Sequence, residues 1–273
     1  MDMLALMRGR RSVRSFDGEP LRAEDEQKIL TFAEKAENPY GLSIEWKLLD
    51  AKKDGLSSPV IVGTDTYIAG KTARAPHAEE AFGYAFEEVV LFAGSLGVGT
   101  TWIAGTMDRQ AFERAVGLQA GEVMPCVSPL GYAAKKMSLR ETMMRKGIRA
   151  DSRMDFGALF FRDSFASPLS PEAAGDLAPA LEAVRLAPSA VNKQPWRVVL
   201  CGNRAHFYLK HSRGRTPDGG WDIQKIDMGI ALCHFALAAA QCGKRVSFAL
   251  GDPGLAAGED TEYIASFLID SPV

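Results

Sequence analysis

Residues Gly83–Gly97 read GYAFEEVVLFAGSLG and residues Gly229–Gly243 read GIALCHFALAAAQCG. The bounding glycines recur at one offset of 146 residues (83 to 229, 97 to 243). Upstream, PYGLSIEWKLL from Pro39 pairs with PSAVNKQPWRVVL from Pro188, at offsets of 149 at the proline and 150 at the tryptophan. Further upstream, SFDGEPLRAED from Ser15 resembles SFASPLSPEA from Ser164. Three segments recurring in the same order read as two copies of one fold, residues 1–160 and 161–273, too few for a solenoid.

Each copy has the same coarse layout. A first helix begins near Arg22 or Pro171, with apolar positions at helical spacing (Ile29, Leu30, Phe32, Ala33; Leu177, Leu181, Val184). A turn with proline leads into a strand at Trp46–Leu49 or Trp196–Leu200. A second strand is expected at Pro59-Val-Ile-Val62 in copy one and at Ala205–Leu209 in copy two. The central helix follows. In copy one an acidic face (Glu79, Glu80, Glu87, Glu88) opposes Phe82, Phe86, Val89 and Phe92; in copy two the run Met228–Ala240 is apolar nearly all round, which predicts burial. The two central helices are expected to pack on each other as in a dimer fused into one chain. The stretch Thr64–Pro76 is left unassigned, as a candidate lid.

The chain has 273 residues, with 32 Lys and Arg against 34 Asp and Glu and a formal charge of −2. A near-zero balance argues against a dedicated nucleic-acid binder. Hydrophobic residues make up 47% and charged residues 24%, which excludes disordered and fibrous classes. Cys126, Cys201, Cys233 and Cys242 show no CxxC and no metal-ligand spacing, and read as reduced thiols. MDMLALMRGRRS places its acid before and its arginines after a short apolar stretch, opposite to a secretory signal. The run Met228–Ala240 is shorter than a bilayer requires. The expectation is a cytoplasmic protein with no membrane and no nucleic-acid partner.

Several catalytic signatures are missing. Gly94-Ser-Leu-Gly97-Val-Gly99 has neither the order nor the strand-to-helix context of a dinucleotide fingerprint. There is no GxxxxGK[ST], Ser95 is not in GxSxG, and no nucleophile and orienting acid surround the four histidines. His77-Ala-Glu79 reads as a solvated helix start rather than a metal site, and His234 as a core histidine. No metal is expected.

Two segments exceed what a fold alone requires. In Arg8-Gly-Arg10-Arg11-Ser12-Val-Arg14-Ser-Phe16, guanidinium forks and a hydroxyl suit a phosphate or another anion; a solvated basic turn is the other reading. In Ala187-Pro-Ser-Ala-Val-Asn-Lys-Gln-Pro-Trp196, polar side chains stand between two stiffening prolines, as an aimed set of donors and acceptors or as an ordinary turn.

Together these segments resemble the nitroreductase-like family of flavin oxidoreductases. Its RRSxRxF motif is matched by Arg10, Arg11, Ser12, Arg14 and Phe16, and its APSxxNxQPW loop by Ala187–Trp196. The central helix followed by LGxG is matched by Ser95–Gly99, and the signature continues through Thr101-Trp-Ile-Ala-Gly105 to Pro129-Leu-Gly-Tyr132. The resemblance implies an α+β fold, here two nitroreductase-like copies with antiparallel-type sheets and helices, fused in one chain around the central helices. It implies FMN, with the arginines and the Ser/Asn/Gln loop supplied by opposite copies. Copy one has lost the Asn and Gln of its loop, and copy two, with Phe160-Phe-Arg-Asp-Ser-Phe165, has no arginine triplet. One FMN per chain is therefore expected, in a monomer with pseudo-dimeric halves, further dimerisation being left open.

The implied roles follow residue by residue. Arg10, Arg11 and Ser12 belong to the phosphate-binding segment, with Arg10 and Ser12 facing the phosphate. Arg14 faces the pyrimidine edge, where charge develops on reduction. Ile103, Ala104 and Gly105 form the loop whose Ala104 and Gly105 N–H groups face flavin N5. Pro188, Ser189, Asn192 and Gln194 reach the ring and ribityl chain. Between Lys135 and Arg153 seven basic and two acidic residues give a local charge of +5, and Arg153 is the expected second phosphate ligand, ahead of Lys146 and Arg149. That run lacks the interleaved aromatics of a nucleic-acid patch. No catalytic side chain is implied, since the cofactor carries the chemistry. The implied activity is ping-pong hydride transfer from NAD(P)H through N5 to a small electron acceptor such as a nitroaromatic, quinone or enone. An FMN storage or delivery protein is the alternative, and a catalyst of one dedicated redox step a third.

Overall fold

The computed structural model describes residues 2–212 and 221–270. The chain divides into two compact units, one of residues 9–150 and one of residues up to Arg8 together with those from Asp151 on. This division falls ten residues before the expected 160/161 boundary and groups the N-terminus with the later unit. Local pairing explains both differences. Helix α1 (Met3–Gly9) is tied to residue 241: the Met3 and Leu4 N–H groups donate to Gln241 Oε1, and Gln241 Nε2 donates to Asp2 Oδ1 at 2.7 Å. Residues 160–162 pair in register with 198–200.

In the unit of residues 9–150, α2 (Ala23–Ala33) opens with Glu24, Asp25 and Glu26, whose charges suit a helix N-terminus. Strand β1 (Ile44–Asp50) and the single turn α3 (Ala51–Asp54) follow, then β2 (Thr66–Ala73), α4 (Ala78–Ser95), α5 (Arg109–Val116), β3 (Glu122–Val123), β4 (Val127–Leu130) and α6 (Leu139–Gly147). The antiparallel sheet runs β1-β2-β3, with β4 also paired to β2. On one face Trp46 packs against Phe82 and Phe86 of α4. On the other, Leu49, Tyr67 and Ala69 meet Phe112 of α5.

Two expectations fail here. Pro59–Val62 is a turn rather than a strand, with Val62 bridging Ser15 and half exposed. The strand is β2, inside the stretch left as a candidate lid, and residues 67–72 of it are buried. A central strand covered on both faces shows no polar-apolar alternation, so its pattern was silent. The acidic face of α4 is also corrected: Glu80 and Glu87 are 1% and 0% exposed.

The other unit contains α7 (Phe156–Leu159), β5 (Phe160–Arg162), α8 (Pro171–Ala174), a 3₁₀ turn (Gly175–Leu177), α9 (Ala178–Leu186), β6 (Trp196–Cys201), β7 (Arg204–Lys210), α10 (Ile223–Gln241), β8 (Arg245–Ala249) and β9 (Thr261–Asp270). Its sheet runs β5-β6-β7-β9-β8, antiparallel except for the parallel β5–β6 pair. A helix, a strand begun by or containing tryptophan, a second strand and a long helix thus recur in each unit. Helix α10 starts five residues before the apolar run Met228–Ala240, capped by Asp222. Its 19 residues are long and apolar enough to cross a membrane, but 72% of that stretch is buried within the protein. His234 is a satisfied core histidine, its Nδ1 2.8 Å from the Ala183 carbonyl oxygen. Among the described residues, Cys126, Cys201, Cys233 and Cys242 are not joined in disulfides.

Gly70 of β2 lies opposite Trp46 in the register, and a Cβ there would stand 2.6 Å from the indole and 3.0 Å from Phe82. Gly70→Ala is expected to cost about 1–3 kcal/mol as an overpacking substitution. Denaturant unfolding checks this, and an unchanged midpoint would show that Trp46 is not fixed between strand and helix.

Candidate functional site

The arginine segment is placed by its backbone. The Val13 N–H donates to the Thr100 carbonyl (2.8 Å), and Phe16 N–H to Val62 O (2.9 Å), while Val62 N–H donates back to Arg14 O. Asp17 N–H donates to Tyr132 O. Val13, Ser15 and Phe16 are buried by this docking. Because neighbours in an extended chain point to opposite sides, Arg10, Ser12 and Arg14 share the other side, and all three are half-buried. Arg11 is exposed and falls on the alternate side.

Burial pushes the Arg10 guanidinium below its usual pKa; Glu87 draws it back up and Arg145 repels it. Burial is also the main effect that lowers Arg14, opposed by Glu141 and reinforced by Arg145 and Arg10. Arg145, on α6, is therefore a third member of this cluster. In the sequence it is one of seven basic residues between Lys135 and Arg153, with nothing in its spacing to set it apart. The Arg10 Nε is buried and has no hydrogen-bond partner. A buried cationic donor without an acceptor is costly, and an anion seated there would satisfy it.

The loop after β-bridge residue Ile103 lies in the same unit. Ile103 is buried and exchanges both backbone hydrogen bonds with Val127 at 2.9 Å. Arg109 holds the following turn, donating to the carbonyls of Ala104 (2.7 Å), Met124 (2.8 Å) and Pro125 (3.1 Å). Among the described residues, the Ala104 and Gly105 N–H groups donate to no acceptor. Nothing lies within 4 Å of where a Gly105 Cβ would be, so a side chain at that position would project into open space. Just upstream, Trp102 Nε1 donates to the Glu87 carboxylate at 3.0 Å.

In the other unit, the loop from Ala187 to Trp196 is knitted to residues 152–154. Asn192 Nδ2 donates to Ser152 O (3.0 Å), and Met154 N–H donates to Gln194 Oε1 (2.8 Å). Arg153 donates to Ser152 O and to Leu186 O, the latter just ahead of Pro188. Ser189 Oγ accepts from the Gln194 N–H (2.9 Å), and the buried Asp227 carboxylate accepts from the Ala190 N–H at 3.0–3.1 Å. Gln194, 4% exposed, has both ends of its amide engaged, Oε1 by the Met154 N–H and Nε2 by the Asn192 carbonyl. Its role is therefore to shape the loop. Val191, Asn192 and Gln194 all take left-handed backbone angles, with φ of 46°, 57° and 50°. For a β-branched residue that is strained, and such strain persists only where the surroundings enforce it.

Elsewhere in residues 9–150, an open groove of about 330 Å³ is lined by Gln27, Lys28, Thr31, Phe32, Lys35 and Phe92. It holds none of the residues expected at the site.

A family model described as "Putative TM nitroreductase" matches residues 2–239. Among solved structures, the chain is 20% identical to a "putative nitroreductase" of Thermotoga maritima, covering 98% of this chain and 94% of that one with a TM-score of 0.62. The likeness establishes the nitroreductase-like α+β fold. An FMN-dependent nitroreductase from Clostridium difficile is 19% identical over 49% of this chain and 88% of its own, with a TM-score of 0.42. A nitroreductase with bound FMN from Bacteroides fragilis is 20% identical over 51% and 92%, with a TM-score of 0.41. Comparison with curated proteins finds no match.

Replacing Val191 by asparagine, which tolerates the left-handed region, should raise stability by about 1 kcal/mol and the thermal midpoint by a few degrees. A lower midpoint would mean that the valine side chain contributes packing that outweighs its strain.

Proposed function

The chain belongs to the nitroreductase family whose model spans residues 2–239, and on that footing we propose that it is an FMN-dependent oxidoreductase. It draws electrons from NAD(P)H and passes them, in a ping-pong cycle, to an electron-poor small molecule of the nitroaromatic, quinone or enone type. The observation that carries this reading is the buried, unpartnered Arg10 Nε within a cluster of three guanidinium groups. The Ala104 and Gly105 N–H groups, which donate to no acceptor among the described residues, support it. When bound, FMN supplies two-electron hydride chemistry at N5, and the protein supplies orientation and electrostatics.

The residues present fit that group. Arg10, Ser12 and Arg145 bind the phosphate, for which guanidinium forks are well shaped. Arg14 places positive charge at the pyrimidine edge. The Ala104 and Gly105 N–H groups, in a turn held by Arg109, would be the donors for flavin N5. Pro188, Ser189 and Asn192 would supply the ring and ribityl contacts that the family pattern implies. Gln194 shapes its loop through the bonds described above, Arg153 keeps the second phosphate role that the family pattern implies, and Arg145 adds a guanidinium beside Arg10 and Arg14. The chain carries one complete set of these groups, which sets the expected stoichiometry at one FMN.

The visible spectrum of the purified protein tests this reading. A yellow protein with about one FMN per chain that bleaches on anaerobic addition of NADPH or NADH is expected, and the double variant Arg10→Ala/Arg14→Ala should lose the flavin. Gly105→Val should weaken FMN binding about tenfold, a loss near 1.4 kcal/mol, while leaving the apoprotein midpoint unchanged. Flavin that stays oxidised with both donors would favour FMN storage or delivery. Failure of the protein to bind FMN at all would refute the assignment.

A further inference from the structure

The arginine cluster contains two carboxylates that phosphate binding does not call for. Glu87 of α4 and Glu141 of α6 are 0% and 2% exposed, in a cluster with Arg10, Arg14 and Arg145. Three guanidinium groups against two carboxylates leave a net charge of +1.

Glu141 has an unusual placement. Ser138-Leu-Arg-Glu141 has the spacing of a capping box, and Ser138 Oγ does accept from the Glu141 N–H at 3.1 Å. In a closed box the glutamate would turn back to the Ser138 N–H. Here that N–H donates instead to Ser15 Oγ at 3.0 Å. The carboxylate points inward, its Oε1 3.4 Å from the Arg14 N–H and its Oε2 buried with no partner. The rest of α6 is not anchored by an apolar face, since Leu139 and Met143 are 84% and 74% exposed. Glu87 is likewise buried, and one of its oxygens accepts from Trp102.

We propose that Glu141 and Glu87 are built-in counter-ions of the arginine cluster, which compete with an incoming phosphate group and set its affinity. The proposal rests on reading the cluster as the phosphate site. Without a ligand, three half-buried guanidinium groups repel one another, and each carboxylate offsets part of that cost. A phosphate draws on the same guanidinium charge, and it also meets the like charge of the carboxylates. Each carboxylate thus makes the ligand-free protein more stable and the bound state weaker than the arginines alone would. By reciprocity, phosphate must loosen the hold of Glu141, and with it α6, on the arginine segment.

The test uses the full chain stripped of flavin and inorganic phosphate as the probe, with affinity read by calorimetry. Glu141→Gln and Glu87→Gln should each bind phosphate about tenfold tighter, a change of about 1.4 kcal/mol. Each should also melt lower without phosphate and gain more in midpoint from its addition than the wild type does. A merely structural carboxylate would lower the midpoint and leave phosphate affinity alone. Wild-type phosphate binding with equal or weaker binding in the variants overturns the counter-ion role and spares the site. No phosphate binding in any of the three proteins overturns both. If one variant fails to fold, the other carries the comparison, and Glu141→Asp, which withdraws the charge by one methylene, should tighten binding by a smaller factor.

Discussion

Everything at the candidate site depends on the docking of one short segment by its backbone. Residues 12–17 are bonded to Thr100, Val62 and Tyr132, three points far apart in the chain. The bonds are made by peptide groups, so the guanidinium groups are positioned without using their own donors. The packing that permits this is close. A Cβ on Gly63 would fall 2.3 Å from the Phe16 carbonyl oxygen, at a residue whose φ is already 83°. Holding side chains by the backbone beneath them keeps their geometry while leaving their hydrogen-bonding capacity to a ligand.

The loop of residues 187–196 uses the opposite arrangement. Its side chains, Ser189, Asn192 and Gln194, make the local bonds, and they hold three residues in left-handed conformations. Prolines at 188 and 195 remove donors and fix φ, so the backbone cannot hold itself by a regular ladder there. Polar residues that look from sequence like ligand contacts are partly structural for that reason. Gln194 is the clearest case, with its amide engaged at both ends.

How much of this could be read in the sequence varied with the physics of each element. The long helices, the tryptophan strands and the β7 hairpin partner were legible because periodicity and aromatic content report directly on burial. Strand β2 was not, because burial on both faces erases alternation and because Gly70 and Lys71 interrupt its apolar run. The acidic side of α4 was misread for a related reason. Glu80 and Glu87 look solvated by residue type, and only their three-dimensional neighbours show that Glu87 is buried, with Trp102 donating to it and its charge acting on Arg10. The arginines and the Asn/Gln loop were legible as motifs. Arg145 and Glu141 were not, since helix spacing alone cannot tell a surface pair from an inward one.

Glu87 also joins two features that sequence separates by about ninety residues. Its carboxylate accepts from the indole one residue ahead of Ile103, and its charge attracts Arg10. The turn that presents the Ala104 and Gly105 amides is therefore fastened on one side by Arg109 and on the other through Trp102 to the same carboxylate that balances the arginines. Replacing Glu87 by a neutral residue touches both ties, whereas replacing Glu141 acts on the arginine segment and on the hold that α6 has on it. The two acids are thus alike in charge and burial but unequal in reach, and the difference follows from the helix each one stands on.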